Sequence, residues 1–208
     1  MRIANQKIAI IDYGLGNLRS VEKACHHVGA TGAFVTDDPE LVRSADKAIL
    51  PGDGSFDATM ERLQNAGVDI IAKEFANSGR PFLGICVGMQ ALLTSSEEGD
   101  QSATGLDLVP GKVRRFSAPA LKIPQIGWNE LTFSGSSPLF ENLSDGVFVY
   151  FLHSFYCAPD DDSVTTARSE YGISYCAGLQ KENIFATQFH PEKSGTVGLQ
   201  ILKNFSTL

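Results

Sequence analysis

A cysteine stands between two glycines in the segment Gly84-Ile85-Cys86-Val87-Gly88, directly after a short apolar run. A nucleophile with glycine two residues away on each side is typical of the sharp strand-to-helix elbow that presents a catalytic side chain. A thiol in that place lies at a helix N-terminus, where backbone dipoles favour the thiolate. The backbone N–H of Val87 would then point to the place where an oxyanion forms. The pattern alone leaves open an ordinary buried cysteine.

A histidine that could act as the base for this thiol lies in Phe189-His190-Pro191-Glu192. It follows an apolar run, and the ends of such strands commonly build active sites. Proline fixes the link between His190 and Glu192, so the carboxylate can orient the imidazole and stabilise its cation. By itself the pair could be an ordinary strand-terminal histidine with a solvated glutamate. Combined with Cys86, it predicts a Cys–His–Glu catalytic set.

The elements that must position these residues alternate between strands and helices in the first half of the chain. Strands are predicted at residues 7–11, 33–35, 48–50 and 81–85, and helices at residues 18–28, 56–77 and 87–94. This alternation indicates βαβ units and a parallel sheet. The second half is β-rich, with strands predicted at residues 113–116, 130–133, 147–152, 164–167 and 184–189 and a closing helix at 195–205. We therefore expect one α/β domain over residues 1–208, with antiparallel strands added to a parallel core.

A second glycine-rich segment, Gly14-Leu15-Gly16-Asn17, follows the first predicted strand. A dinucleotide fingerprint would need a third glycine where the sequence has Arg19, and an acidic residue that Asp37 supplies only loosely. A turn in which Asn17 caps the following helix is the favoured interpretation. No cofactor is therefore expected.

Composition excludes several classes of partner. The 208 residues are 43% hydrophobic and carry a formal net charge of −7, so a packed core is expected and whole-chain disorder is not. An acidic chain lacks the basic face that binds nucleic acid or an anionic membrane. The four cysteines show no metal-site spacing, and no apolar run is long enough for a signal peptide or a membrane span. We expect a cytoplasmic protein with reduced thiols and no metal.

Seven motifs carry a resemblance to a known family, and together they cover essentially the whole chain. They are Asp12-Tyr13-Gly14-Leu15-Gly16-Asn17, Leu50-Pro51-Gly52 with Gly54, Gly84-Ile85-Cys86-Val87-Gly88-Met89-Gln90, Ser96-Glu97-Glu98-Gly99, Ile126-Gly127-Trp128-Asn129, His153-Ser154-Phe155 and Phe189-His190-Pro191-Glu192-Lys193-Ser194. The sequence resembles class I glutamine amidotransferases, and within them the glutaminase subunits of imidazole glycerol phosphate synthase. The resemblance implies a three-layer, flavodoxin-like α/β fold with a mixed sheet.

The resemblance also implies a reaction and a set of site residues. Cys86 would attack the side-chain amide carbon of L-glutamine, and His190, oriented by Glu192, would protonate the departing ammonia. Water would then hydrolyse the glutamyl thioester, with His190 acting as base. The matching positions for the oxyanion hole are the backbone of Val87, Gly52 and Asp53, and those for substrate binding are Gln90, Glu98, Ser154 and Phe155. The sequence departs from the family at Asp53, where an apolar residue is usual. We expect its side chain to point away from the sulfur and to bond a local backbone N–H.

The resemblance further implies a partner, a separate (βα)8-barrel cyclase that forms a heterodimer with this chain. The barrel would receive ammonia through a channel and make imidazole glycerol phosphate and an aminoimidazole carboxamide ribonucleotide in histidine biosynthesis. Asn17, Trp128 and Lys193 match interface positions, although a lone tryptophan in a β-rich half is more often a core residue. Two alternatives stay open: a related glutaminase that serves another acceptor, such as in surface-sugar biosynthesis, or a stand-alone cysteine hydrolase on this fold.

Overall fold

The computed structural model describes residues 6–100, 102–117 and 121–208, and a mixed twelve-stranded sheet forms the centre of these residues. In chain order the strands are β1 (Ile8–Ile11), β2 (Ala33–Thr36), β3 (Lys47–Leu50), β4 (Phe82–Ile85), β5 (Ser95–Ser96), β6 (Gly111–Arg115), β7 (Gln125–Phe133), β8 (Val147–His153), β9 (Phe155–Pro159), β10 (Thr165–Glu170), β11 (Ser174–Lys181) and β12 (Ile184–Thr187). The main path runs β2-β1-β3-β4-β12-β11-β10-β7-β8. Its first five strands are parallel to one another and the rest are antiparallel. The expected mixed α/β fold with a parallel core is confirmed.

Six α-helices flank the sheet in the described residues. They are α1 (Leu18–His27), α2 (Pro39–Arg43), α3 (Phe56–Asn65), α4 (Val68–Ala76), α5 (Val87–Ala91) and α6 (Gly195–Thr207). None of these helices is long and apolar enough to cross a membrane.

The strands of the parallel core are buried on both faces, and this explains their almost unbroken apolar sequences. In β1, Ile8 and Ile10 face the layer that contains α1 and α6, whereas Ala9 and Ile11 face the layer that contains α2 to α5. Successive side chains of a strand point to opposite faces, so four residues serve two hydrophobic layers. The result is a helix–sheet–helix sandwich.

Several sequence predictions need correction. The single helix predicted over residues 56–77 is two helices, because Gly67 adopts the left-handed conformation (φ 66°) and separates α3 from α4. Asn17 does precede α1, but its side chain makes no capping hydrogen bond. Strands β9 and β11 were not predicted, since a single residue separates β9 from β8 and Gly178 interrupts the apolar pattern of β11. Strand β7 begins at Gln125, five residues before the predicted start.

Helix α6 packs tightly against the turn that follows His190. The short 3-10 helix Pro191–Lys193 leads into α6, and Gly198 of α6 lies directly against it. A Cβ on Gly198 would stand 1.9 Å from the carbonyl oxygen of Pro191, a backbone atom that cannot swing aside. The missing side chain therefore sets how closely the helix approaches the turn.

The substitution Gly198→Ala is expected to lower the free energy of unfolding by about 1–3 kcal/mol, because the added methyl overpacks this contact. The direction of this change in stability is informative, since Gly→Ala inside a helix normally stabilises a protein by roughly 0.5–1 kcal/mol. Urea unfolding measures the change, and Thr196→Ala, an exposed position of the same helix, is the control. A midpoint for Gly198→Ala at or above that of the parent chain would contradict the close contact.

Candidate active site

Three neighbouring strands of the parallel core end at the site. Strands β3, β4 and β12 lie side by side, with Leu50 in register with Gly84 and Ile85 in register with Thr187. Their carboxyl ends therefore open at the same edge of the sheet, the usual location of ligand sites in α/β proteins. The Pro51–Gly54 segment, Cys86 and His190 follow these strands and meet there, as the sequence indicated.

Cys86 lies on a strained elbow between β4 and α5. Its φ is 55°, in the left-handed region, which a residue other than glycine occupies only at a cost of about 1–3 kcal/mol. Its N–H donates to the carbonyl of Thr187 at 2.7 Å, and this bond anchors the elbow to β12. The predicted elbow is therefore present, with the nucleophile at the start of the helix.

Glycines make room for the elbow, as their spacing indicated. A Cβ on Gly88 would lie 2.0 Å from the carbonyl oxygen of Leu50, and one on Gly52 would lie 2.3 Å from the nitrogen of Gly88. The backbone after β3 thus runs in direct contact with the first turn of α5. This contact brings the Gly52 and Asp53 backbone close to the N–H groups that begin the helix.

The backbone groups around Cys86 are suited to hold an anion. Val87 is the first residue of α5, and N–H groups in a first helical turn have no intrahelical acceptor. The carbonyl of Pro51 accepts a 2.8 Å hydrogen bond from the Tyr13 hydroxyl, which anchors the segment that continues into Gly52. The exposed Asp53 carboxylate accepts from the N–H of Gly54 at 2.9 Å, so the expected local backbone bond is confirmed.

His190 and Glu192 form a buried pair. The imidazole Nδ1 lies 2.8 Å from Oε1 of Glu192, and both side chains are at most 4% exposed. Burial lowers the pKa of His190, but interaction with Cys86 and with the Glu192 carboxylate outweighs burial and raises the pKa to about 10. Nε2, the nitrogen that Glu192 leaves free, has no hydrogen-bond partner among the described residues. The ring is thus oriented by its carboxylate and can exchange a proton through Nε2.

The backbone of His190 is fixed to β8. Its N–H donates to the carbonyl of Tyr150 at 3.0 Å. The buried Ser194 hydroxyl donates to the His190 carbonyl at 2.6 Å and accepts from the Tyr150 N–H at 2.9 Å. The antiparallel half of the sheet therefore holds the histidine of a site whose cysteine comes from the parallel half.

The sulfur of Cys86 also contacts two groups that the sequence did not indicate. The carbonyl of Leu152 lies 3.9 Å from Sγ, and Nε2 of Gln188 lies 3.8 Å from it. Gln188 belongs to the run before His190, and its spacing of two residues from His190 was the available signal. Since alternate residues of an extended segment share a face, a residue two positions from the histidine points the same way.

A cavity of about 280 Å³ lies in front of the thiol. This volume suits a small metabolite, because drug-sized ligands use roughly 300–1,000 Å³. Its walls include these residues: Asp53, Gly54, Cys86, Val87, Gln90, Glu98, Pro124, Leu152, His153, Ser154 and Phe155. All four positions expected to bind substrate are therefore together beside the nucleophile, and their roles stay predictions.

The four pocket positions differ in how many of their polar groups are already bonded. Gln90 donates from Nε2 to the carbonyl of Phe155 at 3.2 Å. Glu98 accepts from the Phe56 N–H at the start of α3 at 2.7 Å, and burial raises the pKa of Glu98 despite that bond. Phe116 donates its N–H to the Ser154 carbonyl at 3.2 Å. The Glu98 carboxylate is thus the partly buried anion of the pocket, suited to a cationic group.

His153 is buried in the wall of the cavity. Its Nδ1 lies 2.7 Å from the carbonyl of Phe155, so Nδ1 carries the proton and donates. Burial lowers the pKa of His153 to about 4. The ring is therefore neutral near pH 7, and it supports the Phe155 carbonyl rather than supplying a charge.

The positions expected at a partner interface lie on the surface around the site. Trp128 is 55% exposed on β7 and stacks edge-on against Tyr150 of β8, so the core alternative for this residue is wrong. Asn17 lines an open cleft together with Asp53 and Gly54. Lys193 lies in the 3-10 helix after His190. Their contribution to an interface stays a prediction.

No group of three or more His, Cys, Asp and Glu side chains in the described ranges is arranged to hold a metal ion. The four cysteines are unpaired thiols. The arrangement can therefore perform thiol chemistry on a small amide or ester: a nucleophile on an elbow, an imidazole held by a carboxylate, and backbone donors for an oxyanion.

Comparison with known proteins agrees with this arrangement. Residues 9–207 match the family described as "Glutamine amidotransferase class-I". Proteins named "Imidazole glycerol phosphate synthase subunit HisH" are similar over nearly the whole chain. The one from Geobacter sulfurreducens is 50% identical over 97% of this chain and 99% of its own, and the one from Methanosarcina acetivorans is 50% identical over 96% and 98%.

Solved structures share the fold at low sequence identity. A chain titled as a glutamine amidotransferase superimposes with a TM-score of 0.74 at 16% identity, covering 97% of this chain and 99% of its own. A chain of PurLQS from Thermotoga maritima gives a TM-score of 0.72 at 18% identity, covering 96% and 97%. On the strength of the family match over residues 9–207 and the full-length similarity, this chain belongs to the class I glutamine amidotransferase family.

Proposed function

We propose that this chain is a glutaminase, the ammonia-producing subunit of an imidazole glycerol phosphate synthase. The observation that carries the proposal is the Cys86 elbow beside the buried His190–Glu192 pair, at the end of a cavity sized for a small metabolite. The identity of about 50% over nearly the full length to subunits of that name supports this synthase as the enzyme that uses the ammonia. The proposal treats residues 1–208 as one domain in the cytoplasm, where reducing conditions keep the thiol free.

In the first half of the reaction, Cys86 acts as the nucleophile. The thiol proton passes to Nε2 of His190, and the sulfur attacks the side-chain amide carbon of glutamine. The developing oxyanion is held by the N–H of Val87 and by the backbone of Gly52 and Asp53. His190 then returns the proton to the amide nitrogen, the C–N bond breaks, and ammonia leaves a glutamyl thioester on the sulfur.

In the second half, water hydrolyses the thioester. His190 takes a proton from the attacking water, the oxyanion forms again in the same hole, and the C–S bond breaks. Glutamate leaves and the sulfur regains its proton from His190, so no net proton stays on the enzyme. Glu192 acts throughout by stabilising the imidazolium and fixing Nδ1 as the protonated nitrogen.

Gln90, Glu98, Ser154 and Phe155 would position the rest of the substrate. Glutamine carries an α-ammonium and an α-carboxylate at the end away from its reactive amide. The partly buried Glu98 is the group in the cavity wall that suits an ammonium. This assignment makes Glu98 a substrate-binding residue, with Gln90 and the Ser154–Phe155 backbone beside it.

A partner is part of the proposal, because ammonia released into water at neutral pH is mostly protonated and lost as a nucleophile. The outer face of the β7–β8 hairpin is exposed and apolar. Ile126 and Trp128 on β7 share this face with Phe148 and Tyr150 on β8, since Trp128 is in register with Tyr150 and Phe148 pairs with Glu130. We assign this face, together with Asn17 and Lys193, to a (βα)8-barrel cyclase that receives the ammonia.

The substitutions Cys86→Ala and Cys86→Ser are expected to abolish glutamine-dependent synthesis by the assembled complex, because Cys86 is the one thiol among the described residues that line the cavity. Synthesis from added ammonium salt should continue at the parent rate, since the cyclase reaction takes place on the partner. Both rates are measured by product formation. Cys25→Ala, at a buried cysteine of α1, is the control and should keep glutamine turnover. Glutamine hydrolysis by Cys86→Ala would remove Cys86 as the nucleophile.

The substitution Glu192→Gln is expected to lower kcat/KM for glutamine by about 10²–10⁴, the range for general acid–base groups. It should also move the alkaline limb of the pH profile to lower pH. The parent carboxylate helps to raise the pKa of His190, so an uncharged amide lets the imidazolium lose its proton at a lower pH. The pH dependence of hydrolysis measures both effects, and Glu61→Gln on exposed α3 is the control. An unchanged alkaline limb would contradict the role given to Glu192.

The partner is expected to raise glutamine hydrolysis by roughly 10²–10³, the value of one correctly aimed oxyanion donor. The measurement compares the isolated chain with the chain plus the barrel subunit and its nucleotide ligand. Trp128→Ala should raise the Kd for the barrel about tenfold, because buried tryptophans dominate interface energies. Ile70→Ala, which removes an equally exposed apolar side chain from α4, should not change the Kd. Equal rates with and without the liganded barrel would refute the coupling.

A further inference from the structure

The side chain of Gln188 is completely buried and lies beside the catalytic sulfur, yet the reaction as written gives it no part. Its Nε2 stands 3.8 Å from Sγ of Cys86. It follows β12, and its backbone N–H donates to the carbonyl of Ala177 on β11 at 2.9 Å. Phe189, between Gln188 and His190, is buried in the hydrophobic layer that contains α1 and α6. Because alternate residues of an extended segment share a face, the side chains of Gln188 and His190 point to the same side of the backbone.

The orientation of the Gln188 amide follows from its neighbours. The carbonyl of Phe155 can only accept, so the 3.2 Å contact with Gln90 requires the NH2 group of Gln90 on that side. The same NH2 group lies 3.2 Å from the Gln188 side chain, which must present its oxygen to it. The remaining group of Gln188, its NH2, then faces the sulfur. Reversing either amide would place two donors or two acceptors against each other.

The two contacts of the sulfur favour opposite protonation states. The Leu152 carbonyl accepts, and it can bond only a protonated thiol. Gln188 donates, so its hydrogen bond strengthens when the sulfur is negative. A neutral thiol sulfur is only a weak hydrogen-bond acceptor, so the buried N–H donor of Gln188 is poorly satisfied until the thiolate forms.

We propose that Gln188 is a further catalytic residue, which stabilises the Cys86 thiolate by an N–H···S hydrogen bond. Two hydrogen bonds hold it in place, from Gln90 to the Phe155 carbonyl and from Gln90 to Gln188. This inference rests on the proposed function, in which Cys86 is the nucleophile. Gln90 also lines the cavity, so these hydrogen bonds join the substrate pocket to the sulfur. A ligand that pulls Gln90 away from Gln188 weakens the donor at the thiolate.

Three titratable groups interact electrostatically with the sulfur: His190 after β12, Tyr13 after β1 and Cys157 on β9. Three more, Asp53, Glu98 and His153, share the wall of the cavity with it. Burial raises the pKa of both Tyr13 and Cys157, so these two stay neutral across the working range. His190 is therefore the one charged neighbour of the first three, and replacing Gln188 leaves its bond to Glu192 in place.

The test measures how fast iodoacetamide alkylates Cys86 in the full chain as pH varies, with the modified peptide quantified by mass spectrometry. Only the thiolate reacts, so the midpoint of the rate profile reports its formation. Gln188→Met keeps the volume and removes the donor, and it should move the midpoint upward by about one pH unit. Gln188→Glu should move it further, because a carboxylate repels the thiolate.

Gln180→Met on β11 is the matched control, since its amide bonds the carbonyl of Glu182 instead of the sulfur, and its midpoint should equal that of the parent. If Gln188→Met does not fold, Gln188→Asn keeps a buried amide one methylene shorter and should also raise the midpoint. If the folded Gln188 variants showed the same pH midpoint of alkylation as the parent chain, the inference would be overturned. The readout needs no glutamine, so a failure of the proposed glutaminase activity is seen separately, as absent hydrolysis by the parent complex.

Discussion

The contact between the end of β3 and the first turn of α5 is the constraint on which the site depends. The Leu50 carbonyl and the Gly52 backbone touch the peptide groups of Val87 and Gly88 with no room for a side chain. This approach places the Gly52 backbone against the first turn of α5, which begins directly after Cys86, as the proposed oxyanion hole requires. Because glycine lacks a Cβ, the geometry is available at two positions and costs conformational entropy at both.

The rest of the site is a set of buried polar groups that bond one another, with Nε2 of His190 and Oε2 of Glu192 left without a partner among the described residues. Glu192 orients His190, Ser194 and Tyr150 fix its backbone, and Gln188 completes the surroundings of the sulfur. In a low-dielectric interior each of these bonds is stronger than in water, and each unpaired member is more costly. Burial alone would disfavour the imidazolium, so its raised pKa shows that the neighbouring groups outweigh desolvation.

The sequence was sufficient for the parts of this structure that depend on short-range patterns. The elbow, the His-Pro-Glu segment and the parallel strands are each set by residues within a few positions of one another. The two-residue spacing from His190 gives the face on which Gln188 lies, but its pairing with Gln90, 98 residues away, follows from no local pattern. Strands β9 and β11 were missed for a related reason. Their stability comes from cross-strand partners rather than from their own apolar alternation.

The β7–β8 hairpin carries the exposed apolar face and also contacts the sulfur of Cys86. Strand β8 carries Phe148 and Tyr150 on that face, and its Leu152 carbonyl contacts Sγ of Cys86. The hairpin joins the main sheet where Phe133 and Thr132 of β7 pair with β10, and the Ser134 N–H donates to the Thr166 carbonyl beside them. A body that binds the outer face therefore acts on an element that also holds the His190 N–H. A small displacement of β8 changes the acceptor at the thiol and the position of the imidazole together, whereas the Val87 donor, fixed to α5, stays in place.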